Sequence, residues 1–340
     1  MPAVDFECTR RSSVRVMDTT TLGPLENVSR LTLGGGGIGA LWGPTTREEG
    51  IATLREAPDH GINLLDSAPG YNVCEELIGE AFDGRLPDGI RITTKCGIGN
   101  FEAGTAYAQF RASLEKSFAD MRLDHVDLFF LHGHIRQREP WEGGPSEAQV
   151  EGHTRWDAYT DEVIPAFERL VTEGLIGAWG LTGVDMPQAI IDAVQRDAKP
   201  AAVQSVANLL DSPGTLTDGR GAARPRDVIR AANANGVGVM GIRVVQAGGL
   251  CAVIDRELED THPESIDYDR AAPFRALCEQ WGEDPAIVAH RYALGMEGVD
   301  TVIVGVKNRE ELRQIVDAED AGSLDPEQVA AIDALGIRRD

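Results

Sequence analysis

Lysine is scarce in this chain. Only Lys95, Lys116, Lys199 and Lys307 occur among 340 residues, and the 32 Lys and Arg face 55 Asp and Glu, leaving a net charge of −23. A surface field of that sign repels nucleic-acid phosphates and anionic lipid, so neither is an expected partner. An anionic ligand would need a local cationic site. Cysteines are also few: Cys8, Cys74, Cys96, Cys251 and Cys278 are odd in number, scattered, and without C-x-x-C spacing. That pattern argues against a disulfide framework and a structural zinc site, and for a reducing compartment. No stretch is apolar for 18 residues and no signal-peptide pattern opens the chain. The expected location is therefore the cytoplasm, with no metal and no membrane partner.

What is present is apolar material for a sizeable core, 42% of residues, arranged in short runs. The runs predict strands at 30–35, 62–67, 90–95, 126–132, 177–182, 202–207, 237–242 and 300–305. Each is apolar through most of its length, as in strands buried on both faces of a parallel sheet. Amphipathic segments lie between them, at about 46–59, 74–83, 105–121, 161–173, 185–196, 225–235, 284–296 and 308–319. The first opens on Thr46-Arg-Glu-Glu49, which reads as a capping box. Eight strands, each followed by a helix, is the count of a (β/α)8 TIM barrel. One domain covers residues 1–340 in this reading, with a hairpin before residue 30 closing the barrel bottom and a last helix at 325–335, capped by Asp325. Two connections, 133–160 and 243–275, are too long for simple loops. Both follow strands, so both belong to the C-terminal face, where barrel active sites are built. Residues 34–39, GGGGIG, match a dinucleotide-binding glycine pattern, but the next predicted helix starts only near Thr46. The glycines therefore read as a turn or a place of close backbone approach to a ligand.

Strand ends carry the chemistry. Asp66 ends the second strand, Tyr71 lies in the loop after it, Lys95 ends the third strand and His132 the fourth. Singly, each has an ordinary reading as a turn cap, a rim aromatic or a core histidine. Lys95 is harder to dismiss, because a lysine between ITT and CG in a central strand cannot reach water and needs a counter-charge. Asp66, one strand away, supplies it. A tyrosine hydroxyl, with an ordinary pKa of about 10, is a poor acid near neutrality. A lysine cation beside it is expected to lower that value, making Tyr71 a general acid or base while His132 orients the same substrate oxygen. Such a set suits protonation of a carbonyl oxygen as hydride reaches its carbon, or the reverse.

Asp66, Tyr71, Lys95 and His132 resemble, in order and spacing, the catalytic tetrad of the aldo-keto reductase superfamily. NLLDSAPGYNVCEELIGEAF resembles that family's D-x-A-x-x-Y-G-x-x-E-x-x-x-G segment, DLFFLHGH its D-L-x-x-L-H strand, and VDTVIVGVKNREELRQIV its cofactor-binding C-terminal segment. The resemblance implies a (β/α)8 barrel that binds NADPH or NADH extended. It also implies positions around the cofactor. Gly34, Gly35 and Gly36 fall near the nicotinamide; Thr182 keeps a hydroxyl where Gly183 lacks the family's amide; Gln204 matches the glutamine that binds the carboxamide. The Thr-Gly pair is similar to that of sugar-dehydrogenase branches such as L-galactose dehydrogenases. Ile242 stands where an aromatic usually stacks, and Arg243 brings a charge suited to a loop salt bridge, a pyrophosphate or a substrate. Gly305, Val306, Lys307 and Arg309 fall around the adenosine phosphate, with Glu311 at a position that suits a free ribose diol. Lys307 and Arg309 could neutralise a 2′-phosphate, but it is mostly the family resemblance that favours NADP(H), with NAD(H) as the other choice.

The expected partner is a small carbonyl or alcohol, namely an aldehyde, ketone or sugar. Trp42, His134, Trp141 and Trp156 are expected to join Tyr71 and His132 around it. Two other functions compete with this NAD(P)-dependent oxidoreductase. One is a Schiff-base lyase using Lys95, which the paired Asp66 disfavours by keeping the lysine charged. The other is a non-enzymatic NADPH-binding partner subunit, which the intact tetrad disfavours. The sequence sets neither oligomeric state nor reaction direction.

Overall fold

The structure is a computed structural model, and it describes residues 17–137, 146–217 and 223–339. Its strands are β1 (Thr19–Leu22), β2 (Leu25–Ser29), β3 (Leu31–Gly34), β4 (Leu64–Asp66), β5 (Arg91–Cys96), β6 (Val126–Leu131), β7 (Ile176–Gly183), β8 (Ala202–Val206), β9 (Gly238–Ile242) and β10 (Thr301–Val304). β3 to β10 form a closed barrel in the order β10-β3-β4-β5-β6-β7-β8-β9, and its neighbouring strands run parallel. The eight strands and their following helices match the sequence reading in place and kind.

β6 shows why apolar runs become barrel strands. Leu128 and Phe130 point into the barrel with Leu64 and Met240. Phe129 points outward, edge-on to Phe110 and Phe167 of the helical layer. Alternate residues of one run thus feed two apolar environments, which is the requirement of a strand buried on both faces. The β1–β2 hairpin puts Leu22 and Val28 into the same interior cluster and plugs the barrel's N-terminal end. Helices Pro187–Val194, Pro225–Ala234, Pro285–Leu294 and Pro326–Asp333 all begin on proline, whose missing N–H costs nothing at a first position. Asp325 caps the last of these with a full capping box to Gln328.

Several local expectations change. The capping box at Thr46 is half made: its hydroxyl accepts from Glu49 N, while the Glu49 carboxylate turns to Arg309. A short helical turn, Gly35–Ile38, opens at the glycines themselves, ahead of the expected helix Arg47–Glu56. Strand pairing ends at Gly34, and Gly39 N can then close on Gly35 O. The connection 243–275 contains helix Pro263–Arg270 and the start of Ala272–Trp281. Pro263 at a first position and PFRALCEQW, with Phe274 and Cys278 buried one turn apart, are the signals a loop assignment passes over.

Candidate active site

The barrel register sets the site. Asp66 pairs with Thr93 in the β4–β5 ladder, and Lys95 pairs with Phe130 in the β5–β6 ladder. Asp66 Oδ2 lies 2.6 Å from Lys95 Nζ, and both side chains are almost fully buried, at 2% and 0% exposure. Lys95 Nζ also donates to Ser67 O at 2.8 Å. Asp66 Oδ1 accepts from Thr93 Oγ1 at 2.7 Å and from Gln204 Nε2 at 2.6 Å. Each charge is thus paired and hydrogen-bonded, the condition under which a buried ion pair survives. Burial pulls the Lys95 ammonium down, but Asp66 and Tyr71 outweigh it and its pKa stands above the ordinary value. Lys95 is a lasting cation.

Tyr71 is carried over this pair by the β4 loop, with Lys95 Nζ 4.5 Å from the centre of its ring. The turn is fastened by Asn72, whose φ is +49° and whose Nδ2 donates to Gly39 O at 3.0 Å. Asparagine tolerates this left-handed conformation better than most residues, and it stands where the resembling segment has glycine. The Tyr71 hydroxyl corrects the sequence expectation. Burial pushes its pKa up, Lys95 pulls it down and Asp66 pushes it up again, so the net direction is upward. The cation beside it limits the rise without reversing it.

The His132 ring meets Tyr71 edge-on, with centres 6.0 Å apart. The desolvation of its inner side and the Lys95 cation hold His132 down to about 4, while its outer side faces the open cavity; near neutrality it is a neutral imidazole. Its backbone is clamped: His132 N donates to Cys96 O at 2.8 Å, and Thr182 Oγ1 donates to Leu131 O at 3.0 Å while accepting from Gly133 N at 3.2 Å. Thr182 therefore positions the two residues flanking His132.

A cavity of about 770 Å³ opens over these groups. Gly34, Gly35, Gly36, Trp42, Asp66, Tyr71, His132, His134, Thr182, Gln204, Ile242, Arg243, Gly305, Val306, Lys307 and Glu311 all line it. Arg243 is tied to Glu264 and to Gln246 Oε1, so the loop salt bridge is the role its geometry shows. Three sequence candidates lie elsewhere. Gly183 sits behind the wall, where a Cβ would fall 2.7 Å from Val203 Cγ1. Arg309 is bound to Glu49 outside the cavity. Trp156 packs on Tyr159 instead of the substrate space, because its short helix faces the outer layer. Trp141 falls outside the described residues. Missed by sequence reading were Thr93, Ser67, Asp255, Asp284 and His290. Thr93 shares the ITTK run with Lys95, two residues apart on one strand face, which is a usable signal. The others had none.

The aldo/keto reductase family profile matches residues 30–337. The chain belongs to the aldo/keto reductase family. It is accordingly an enzyme of the oxidoreductase class, in a family that acts on small-molecule carbonyl substrates. An L-galactose dehydrogenase of Arabidopsis thaliana is 25% identical over 321 residues, covering 91% of this chain and 90% of the relative. A pyridoxal 4-dehydrogenase of Microbacterium luteolum is 25% identical, covering 85% and 89%. An aldo-keto reductase from Bacillus halodurans in its holo form superposes with a TM-score of 0.69 at 24% identity, over 94% of this chain and 96% of that one. One from Klebsiella pneumoniae, in complex with NADPH, gives 0.66 at 21% identity over 96% and 97%. At these identities the structural likenesses speak to the barrel. No helix among the described residues is long and apolar enough to cross a membrane.

Proposed function

We propose that this aldo/keto reductase is an NAD(P)-dependent oxidoreductase of a carbonyl/alcohol pair, with Tyr71 as its proton donor and acceptor. The observation that carries the reading is a half-buried phenol set over a lasting ammonium–carboxylate pair at the floor of a large cavity. The cavity suits an extended dinucleotide. Its volume is that of a ligand site, and glycines at Gly70 and Gly133 leave open space where a Cβ would meet no protein atom within 4 Å. A bound nicotinamide supplies or takes the hydride. The chain's part is acid–base chemistry and positioning. Tyr71 gives its proton to the carbonyl oxygen in reduction and takes it back in oxidation. Lys95 stabilises the phenolate left behind, Asp66 keeps Lys95 charged, and neutral His132 donates one hydrogen bond to the same oxygen. Gln204, held by Asp66, belongs to the cofactor side of the floor.

The substrate class we infer takes its support from two relatives. L-galactose and pyridoxal, named in them, share a chemical trait: an aldehyde with a hydroxyl within ring-closing reach, and hence a cyclic hemiacetal form. A hemiacetal carries the C–H and O–H that this acid–base set would oxidise together, giving a lactone. Lys95 lies beneath the cavity between Asp66 and Ser67 O, so it is badly placed to attack a substrate as a Schiff-base nucleophile. The test is nicotinamide absorbance over a panel of aldoses, pyridoxal and simple aldehydes, with Tyr71→Phe beside the parent. Turnover is expected to fall by roughly 10²–10⁴-fold in the variant while dinucleotide binding stays within about threefold of the parent. Parent-like turnover in Tyr71→Phe removes the proton assignment.

A further inference from the structure

The cavity has two ends. Tyr71 and His132 mark the reaction end, so a dinucleotide with its reactive ring there must lay its adenosine half towards the other end, among Asp255, Asp284, His290, Lys307, Glu311 and Gln314. Charge at that far end is arranged against a further anion. Lys307 Nζ is bonded to Asp255 and lies 3.5 Å from Glu311 Oε1. Arg256, the second cation lining this end, donates to Ala247 O at 2.7 Å and sits 3.6 Å from Asp255 Oδ1. The remaining nearby guanidiniums are paired too, Arg309 with Glu49 and Arg313 with Glu56. Asp255, Asp284 and Glu311 thus outnumber Lys307 and Arg256 at this end, and Arg243, the third cation of the lining, is already held by Glu264.

Cys251, in the midst of these groups, senses the balance. Burial pushes its thiol up to about 11, Asp284, Asp255 and Glu311 push the same way, and only Lys307 opposes them. Three carboxylates and one cation thus act on this thiol. Glu311 Oε2 meanwhile accepts Lys307 N at 2.8 Å, which fixes its carboxylate beside the lining where a hydroxyl donor would meet it.

We propose that this far end selects NAD(H) over NADP(H), with Asp255 and Glu311 as the selecting residues. The inference rests on the reading that the cavity takes a nicotinamide dinucleotide. A free ribose diol offers two O–H donors to carboxylates. A 2′-phosphate offers only charge of their own sign, and it gains Lys307 only by breaking the pair with Asp255. The selecting carboxylate Asp255 stands in the sequence 52 residues before the cation it neutralises.

The test is a protein-fluorescence titration of the parent, Asp255→Asn and Glu311→Gln with NADH and with NADPH at low ionic strength. Both side chains are partly exposed, 45% and 35%, so the variants fold. The parent is expected to bind NADH at least about tenfold tighter than NADPH, and Asp255→Asn to narrow that ratio by about tenfold as Lys307 is released, with Glu311→Gln moving it the same way. Added salt should also narrow the parent's ratio. Tighter binding of NADPH by the parent, or an unchanged ratio in both variants, overturns the inference and leaves the dinucleotide reading standing. Binding of neither nucleotide overturns both.

Discussion

The two ends of the cavity hold their charges in different ways. At the reaction end, Asp66 and Lys95 stand on adjacent strands, buried at 2% and 0% exposure, and their partners are strand residues or the residue that follows a strand. At the far end the charges come from loops and helix starts and pair across the chain, Lys307 with Asp255 at 21% and 45% exposure, and just outside the cavity Arg309 pairs with Glu49 at 43% and 29%. Register makes the first arrangement rigid and costly to disturb; solvent makes the second cheap to rearrange. A barrel enzyme can therefore keep one chemistry at its strand ends and vary what it binds through its loops.

The largest expected effect breaks the buried pair. Lys95→Met leaves Asp66 buried without its cation, which should destabilise the fold by roughly 3–5 kcal/mol and remove the support for Tyr71. Arg309→Met, which deletes an exposed pair, should leave the unfolding midpoint close to the parent's. Denaturant unfolding of the two variants decides the matter. Equal losses would mean that burial does not separate the two ends.

Acid unfolding sharpens the comparison with one histidine from each end. His132 and His290 are both held down to about 4, chiefly by burial, from an ordinary value of 6.5. Between those values the unfolded chain takes up protons that the folded chain refuses. The stability they confer is thus complete above pH 6.5 and is lost as pH falls towards 4. His290 is only 6% exposed, so its share is the larger, roughly 3 kcal/mol across that window, although its hydrogen bond to Ala286 O pulls the other way. His132 faces the open cavity, where water screens it. Urea midpoints measured from pH 7 to pH 4 should fall less steeply in His290→Asn than in the parent, with a smaller change in His132→Asn. The reverse ranking would place the acid-sensitive group at the reaction end.

The barrel was legible because each strand is a short apolar run and each helix an amphipathic one; β6 and its six residues needed nothing else. The tetrad was legible because strand ends are positions that a strand count assigns. The sign of the Tyr71 shift was not, since it depends on how deeply the phenol is buried, and spacing carries no measure of that. Asp255 was invisible for a related reason: no periodicity says where a long loop will return. Trp156 misled because indoles in a long loop can face the outer layer as well as the pocket.

Two glycines at the reaction end carry the comparison down to single atoms. Gly183 looked from the sequence like a missing amide, a functional departure at an open position. In the structure a Cβ there would fall 2.7 Å from Val203 Cγ1 and 3.2 Å from Ile190 Cγ2, both in the packed layer behind the wall. Val203 belongs to β8, so it cannot withdraw without disturbing the ladder with β7 and β9. Gly183→Asn should therefore act through packing, lowering stability by about 1–3 kcal/mol as an overpacked core does, with a matching fall in the thermal midpoint. Gly133 lines the cavity, and a Cβ there would meet nothing within 4 Å. Gly133→Ala should leave the midpoint within the effect of about 0.5 kcal/mol and instead raise KM, because its methyl group occupies ligand space. If Gly183→Asn keeps the parent's midpoint and tightens dinucleotide binding, the wall behind β7 yields more readily than its register implies, and the position is open to an amide after all.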